Sequence, residues 1–129
     1  MKKSVLVVDD DPAILDVIKI ILEEKGYDVH LLADGDKIAQ TIVAFSPSVI
    51  LLDFWLSGLN GKQVIKILRT NPTTKHIPII MISANHDPKS IAEEVEANDF
   101  LAKPFDIDDL VRIVEKYTTS SSSGSQATQ

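Results

Sequence analysis

The sequence predicts an α/β fold: a doubly wound, five-stranded parallel sheet of order 2-1-3-4-5 with five helices. Five short strand-like runs, apolar or mainly so (Val5–Val8, Val29–Leu32, Val49–Leu52, Ile77–Ile82 and Phe100-Leu101), alternate with five stretches of helical character along 129 residues, the pattern of repeated strand-helix units. The run Val49-Ile50-Leu51-Leu52 is apolar at every position, as a strand covered by helices on both faces must be. Short loops follow the strands, and right-handed crossovers then place helices on both sides of one sheet. The first, third and fourth runs are the most uniformly apolar and take the centre; the second and fifth take the edges.

Each element has a local reason. After Val5-Leu6-Val7-Val8 come Asp9-Asp10-Asp11-Pro12; Pro12 suits the first helical position and Asp11 the N-cap, whose side-chain oxygen takes up free backbone N–H groups. That helix continues to Lys25 with Ile14, Val17, Ile18 and Ile21 on one face, and Gly26 stops it. Ile20 falls on the polar side with Asp16 and Glu23. Asp34-Gly35-Asp36 opens a second helix that runs to about Phe45 and is broken by Ser46-Pro47-Ser48. The third spans about Lys62 to Arg69, with Val64, Ile67 and Leu68 inward, and ends at Asn71-Pro72. Asp87-Pro88 repeats the cap-and-proline start. The helix after it has little beyond Ile91, Ala92 and Val95 to bury and is expected to be the least anchored. Asp106 to about Tyr117 forms the last helix, with Asp106 and Asp109 as a cap pair and Ile107, Leu110, Val111 and Val114 as its inner stripe.

The length is one domain's worth. Residues 1–118 are expected to form it, followed by a flexible Ser/Thr/Gly/Gln tail over 119–129, too polar to offset the entropy of ordering. With 44% hydrophobic and 25% charged residues the composition is ordinary for a globular domain, and the net charge of −6 argues against nucleic acid or an anionic membrane as direct partner. The chain has no cysteine, which excludes thiol catalysis, disulfide scaffolds and zinc ribbons. Met1-Lys2-Lys3 is followed by an apolar run too short for a signal peptide, and no run approaches a membrane span. A cytoplasmic location is expected.

In the predicted order the carboxyl ends of the first and third strands lie side by side, at the crevice where open α/β sheets bind ligands. Asp9, Asp10 and Asp53 should converge there. Three carboxylates without a cation repel one another. Oxygen donors with no Cys or His beside them suit a hard ion such as Mg²⁺, which binds a few protein oxygens at about 2.1 Å and completes its shell with water and phosphate. Ser83, ending the fourth strand, and Lys103, following the fifth, bring a hydroxyl and an ammonium to the same edge. An ammonium, a hydroxyl and a metal around a carboxylate can stabilise a transferring phosphoryl group, with the carboxylate as nucleophile. Taken singly, each residue has a blander explanation: caps for Asp9 and Asp10, a turn hydroxyl for Ser83, a solvated loop lysine for Lys103, core for Phe100. Independent caps would not all fall at one sheet edge.

From Val5 to about Tyr117 the chain resembles the receiver domain of two-component response regulators. The resemblance lies in Val8-Asp9-Asp10-Asp11, in Leu52-Asp53 with Gly61 closing the loop, in Ser83-Ala84, and in Asp99-Phe100-Leu101-Ala102-Lys103-Pro104-Phe105. Ser83 follows Asp53 by 30 residues (83 − 53) and Lys103 by 50 (103 − 53), the family's separations. The resemblance implies a chemotaxis-regulator-like, flavodoxin-like fold in which Asp53 accepts a phosphoryl group from a phosphohistidine of a histidine kinase or phosphotransferase. It implies Mg²⁺ held by Asp10, Asp53 and the backbone carbonyl of Trp55, with Asp9 acting through water. It further implies that Lys103 pairs with Asp53 or the phosphoryl group, that the Ser83 hydroxyl moves in to bond it, that Phe100 is the switch aromatic, and that the Lys103-Pro104 peptide is cis. The output is a population shift of the face made by the fourth helix, fifth strand and fifth helix, read by a downstream protein or an appended output domain. Such a domain is a phosphorylated switch rather than a turnover enzyme.

Three positions depart from the family's pattern: Ser57 where proline is usual, Glu96 where glycine is common, and a bulky Trp55 two residues past Asp53. The Trp55 indole is expected to screen an aspartyl phosphate from water, and Leu15 with Ile20 to form part of a docking face for a histidine-bearing helical bundle. An aspartate-nucleophile phosphatase of the haloacid dehalogenase type usually has a second Asp where Trp55 stands. A flavin-binding domain would want a Ser/Thr-rich loop where the three acids are. A receiver fold that has lost its chemistry would not need Asp9, Asp10, Asp53, Ser83 and Lys103 all intact. His30, His76 and His86 are too dispersed for a metal site or a donor histidine. A stand-alone regulator or phosphorelay intermediate is favoured over a transcription factor, with a receiver excised from a larger protein as the alternative.

Overall fold

A computed structural model describes residues 3–34, 37–53, 61–84 and 97–123. In chain order its elements are β1 (Ser4–Val8), α1 (Pro12–Glu24), β2 (Asp28–Leu32), α2 (Ile38–Phe45), β3 (Val49–Asp53), α3 (Gly61–Thr70), β4 (Ile79–Ser83), β5 (Asp99–Ala102) and α4 (Ile107–Ser123). The helix expected after Pro88 lies outside the described residues, as do Trp55, Ser57 and Glu96. All strand pairs are parallel and the order is β2-β1-β3-β4-β5, as the sequence predicts.

The apolar runs are central strands because both of their faces are covered. Leu6, Val8, Ile50, Leu52, Ile79 and Met81 face one way, onto Ile38 and Ile42 of α2 and Val64, Ile65 and Leu68 of α3. Val5, Val7, Val49, Leu51, Ile80 and Ile82 face the other, onto Leu15, Ile18 and Leu22 of α1 and Leu110 and Val114 of α4. Alternate residues of one strand thus feed two separate cores, which is why no interior position of these strands is polar.

Asp11 is the N-cap of α1 and Pro12 its first residue. At the other end Gly26 adopts φ +94° just past the C-cap Lys25, a conformation costly for residues with a Cβ. The buried stripe of α1 is Leu15, Ile18, Ile21 and Leu22, whereas Val17 is 46% and Ile20 66% exposed. The expected stripe through Val17 is therefore corrected, and so is a docking role for Leu15. The helix is apolar around most of its girth, so period alone does not fix the centre of its stripe. The same ambiguity operates in α3, where Ile65 is buried and Ile67 is exposed, and at Ile107 in the first turn of α4, also exposed. Asp109 pairs with Arg112 one turn on instead of acting within a cap pair.

The last helix runs to Ser123, beyond the expected end near Tyr117. Thr118 continues the buried i, i+4 row of Leu110 and Val114 and is 1% exposed. Its hydroxyl lies 3.0 Å from the Tyr27 hydroxyl and donates to the Val114 carbonyl. Thr118, the last residue expected in the domain and polar by type, is thus core, because Tyr27 offers it a buried partner.

Candidate functional site

Parallel register decides which strand ends meet. Val8 pairs with Leu52, so the next residues, Asp9 and Asp53, emerge side by side. Ser83 ends β4 opposite Ala102 of β5, and the Lys103 N–H donates to the Ser83 carbonyl at 2.9 Å, extending that ladder one step. Four strands therefore deliver Asp9, Asp10, Asp53, Ser83 and Lys103 to one edge of the sheet. Phe100 lies two residues before the end of β5, half-buried against the α2/α3 side of the core. The Lys103-Pro104 peptide is cis.

The acids are close together. One carboxylate oxygen from each of Asp9, Asp10 and Asp53 lies within 4.8 Å of the others. Asp9 is wholly buried, Asp53 is 6% exposed and Asp10 is exposed. The Lys103 ammonium stands 3.1 Å from Asp9 Oδ2 and 3.8 Å from Asp53 Oδ1, nearer to Asp9 than to the residue with which the family resemblance would pair it. The other oxygen of Asp9, Oδ1, accepts the Asp11 N–H at 2.9 Å. Ser83 is wholly buried at the end of β4.

Within this set three carboxylates face one ammonium, a formal excess of two negative charges. Two of the acids are buried, where uncompensated charge is costly. An all-oxygen donor set with a residual charge of that size fits a hard divalent cation such as magnesium.

A second polar cluster, not anticipated from the sequence, ties β5 to α4. Asp99 Oδ2 accepts from the Lys116 ammonium at 3.0 Å and the Tyr117 hydroxyl at 2.9 Å, and Asp99 Oδ1 accepts the Phe100 N–H. Partial burial opposes ionisation of Asp99, but these three donors together hold its carboxyl below the usual carboxylate value. Lys116 is raised, first by its hydrogen bond to Asp99; Tyr117 is raised, first by burial and then by Asp99. On the other side Asn98 Oδ1 accepts from both Arg69 and the Ile79 N–H. The Asn98-Asp99 pair beside an apolar run was visible in the sequence, but its side-chain partners lie 17 to 29 residues away and follow no period.

Among the described residues, no helix is long and apolar enough to cross a membrane. A family model, the response regulator receiver domain, matches residues 5–115. The DNA-binding response regulator MtrA of Mycolicibacterium smegmatis is 34% identical over 113 residues, 86% of this chain and 48% of the relative; the chain thus spans about half the length of that curated relative. Among solved structures, the receiver domain of sensor histidine kinase PA1611 from Pseudomonas aeruginosa, with a magnesium ion coordinated in its active site cleft, superposes with TM-score 0.84 at 31% identity, covering 93% of this chain and 100% of that one. The receiver domain of the Francisella response regulator 1452 gives TM-score 0.84 at 32% identity, covering 93% and 99%. The strand order, the acids gathered at the ends of β1 and β3 and these likenesses agree: the chain belongs to the receiver domains of two-component response regulators.

Proposed function

We propose that Asp53 takes a phosphoryl group from a phosphohistidine of a histidine kinase or phosphotransferase. The observation that supports this most directly is the buried Asp53 carboxylate lying within 4.8 Å of two other acids while an ammonium stands 3.8 Å away. One Asp53 oxygen forms a bond to phosphorus as the phosphorus–nitrogen bond breaks, with the electron pair returning to the imidazole, and an aspartyl phosphate results. The charge that builds on the phosphoryl oxygens is met by Lys103 and by the Ser83 hydroxyl, both held at the same sheet edge. Asp10, Asp53 and the Trp55 backbone carbonyl would hold Mg²⁺, with Asp9 acting through water; the ion supplies positive charge against the phosphoryl oxygens. Lys103 leaves Asp9 for the phosphoryl group as negative charge appears beyond Asp53.

The product is a phosphoprotein whose output is conformational. Ser83 bonds the phosphoryl group, Phe100 turns inward, and the face formed by the helix expected after Pro88, β5 and α4 changes population. The target is a separate protein or an appended output domain. Residues 1–118 form the receiver unit and 119–129 its tail, whose first five residues continue α4. A net charge of −6 supports a domain that does not itself contact nucleic acid. Dependence on a histidine phosphodonor supports a cytoplasmic location.

Incubation with acetyl phosphate and Mg²⁺, read by intact mass, tests the assignment. The parent gains the mass of one phosphoryl group and Asp53→Asn gains none; an adduct on the variant, or none on the parent, would overturn it.

A further inference from the structure

Asp11 lies outside the set of three clustered acids, yet it touches that set through its backbone. Its N–H donates to Asp9 Oδ1 at 2.9 Å, and Lys103 occupies Asp9 Oδ2. Asp9 is wholly buried, so both of its oxygens need such partners, and these two contacts fix the plane of its carboxylate.

The backbone of Asp11 is held in turn by its own side chain. Asp11 has φ −97° and ψ 108°, the extended conformation of an N-cap, and its carboxylate accepts the Ala13 N–H at 3.0 Å. Its carbonyl accepts the Leu15 N–H, the first bond of the helix. On the other side the Asp9 N–H donates to the Leu32 carbonyl, prolonging the β1–β2 ladder. Asp10 is therefore suspended between a residue pinned to the sheet and a residue pinned to the helix.

We infer that Asp11 is a positioning residue for the cation: its N-cap holds the Asp9 carboxylate and the Asp10 backbone in the geometry that binds Mg²⁺. The inference rests on the proposed reading of the acidic cluster. Without the cap acceptor, Asp11 explores other conformations, its N–H leaves Asp9 Oδ1, and the acids must be ordered again each time the ion binds. Residues that orient metal ligands without touching the metal commonly change affinity about tenfold or more.

The test is a Mg²⁺ titration followed by tryptophan fluorescence, since the single tryptophan is Trp55, two residues from Asp53. Asp11→Ala removes the cap. Asp11→Gly also removes the acceptor but costs the helix little, because glycine is tolerated at an N-cap, and so it reports on folded protein even if Asp11→Ala does not fold. Asp11→Asn and Asp11→Ser keep a cap acceptor without the charge. Thr118→Val loosens the fold at α4, away from the acidic edge, and controls for lost stability. The expected result is a dissociation constant about tenfold weaker for Asp11→Ala and Asp11→Gly, with Asp11→Asn, Asp11→Ser and Thr118→Val close to the parent. A parent-like constant for Asp11→Gly would overturn the inference and leave the acidic site standing. Equal weakening in Asp11→Asn and Asp11→Gly would assign the effect to charge and likewise overturn it. Absence of any Mg²⁺ response in the parent would remove the underlying reading, and the inference with it.

Discussion

At the scale of single residues, Asp53 and Asp9 illustrate how one charge can be bound twice over. Lys103 reaches both, 3.1 Å from Asp9 and 3.8 Å from Asp53, and the third acid has its oxygen in the same cluster. Without a divalent cation, Asp53 is repelled by two carboxylates and attracted by one ammonium, in surroundings where each such interaction is worth several kcal/mol on the order-of-magnitude scale of an effective dielectric near 20. Among these three interactions the two repulsions outweigh the one attraction. Asp53→Asn is therefore expected to raise stability by about 1 kcal/mol in EDTA, seen as a higher urea midpoint than the parent's. Saturating Mg²⁺ should close or reverse that gap, because a ligand that binds only the folded state stabilises the protein that binds it better. A variant no more stable than the parent in EDTA would mean that Asp53 is already compensated by other contacts. The acids themselves were legible in the sequence because each ends a run that has no other polar residue. The partner of Lys103 was not, since Asp9 and Asp53 are neighbours across β1 and β3 and no sequence pattern distinguishes 3.1 Å from 3.8 Å.

At the scale of elements, α1 and α4 share one face of the sheet and show what periodicity does and does not decide. The existence of α1 and both its ends could be read from Asp11-Pro12 and Gly26. Its buried stripe could not, because Ile14, Leu15, Val17, Ile18, Ile20, Ile21 and Leu22 nearly encircle the helix. The exposed Ile20 keeps its expected place on the surface, with the exposed Val17 three residues before it. Ile20→Glu should slow phosphoryl transfer from the cognate histidine donor while leaving phosphorylation by acetyl phosphate unchanged; equal slowing of both would remove a docking role for this surface. In α4 the informative residue is Thr118. With Thr118→Val the Tyr27 hydroxyl loses its 3.0 Å partner while remaining buried, which costs about 1–3 kcal/mol. Tyr27→Phe added to Thr118→Val should recover part of that loss, since no buried hydroxyl then lacks a partner. Urea unfolding of the two single variants and the double variant measures the coupling directly, and strict additivity would show that the pair does not act as a unit.

At the scale of the whole molecule, the acidic edge exists only when the central strands are in register, because β1, β3, β4 and β5 each supply part of it. The strand order was legible because fully apolar runs must be central and crossovers have one hand. The bracing between β5 and α4 was not legible, because Asp99, Lys116 and Tyr117 are individually ordinary surface types and meet only after α4 docks. That bracing has a global consequence through pH. Asp99 has a folded pKa below its usual value, its partial burial being outweighed by the donors Phe100 N–H, Lys116 and Tyr117. A carboxylate whose folded pKa is depressed stabilises the native state fully above its unfolded value, about 3.9, and the contribution disappears as pH falls through the folded value. The unfolded chain binds the proton first, so protonation favours unfolding. Asp99→Asn removes this linkage while keeping a side chain of similar size. The parent should therefore exceed the variant in urea midpoint by a constant margin from pH 7 down to about pH 5, and the margin should shrink between about pH 4 and pH 3. Lys116 and Tyr117 titrate at the alkaline end and leave that acid window untouched. A margin independent of pH down to 3 would show that the Asp99 carboxylate is not preferentially stabilised in the folded protein.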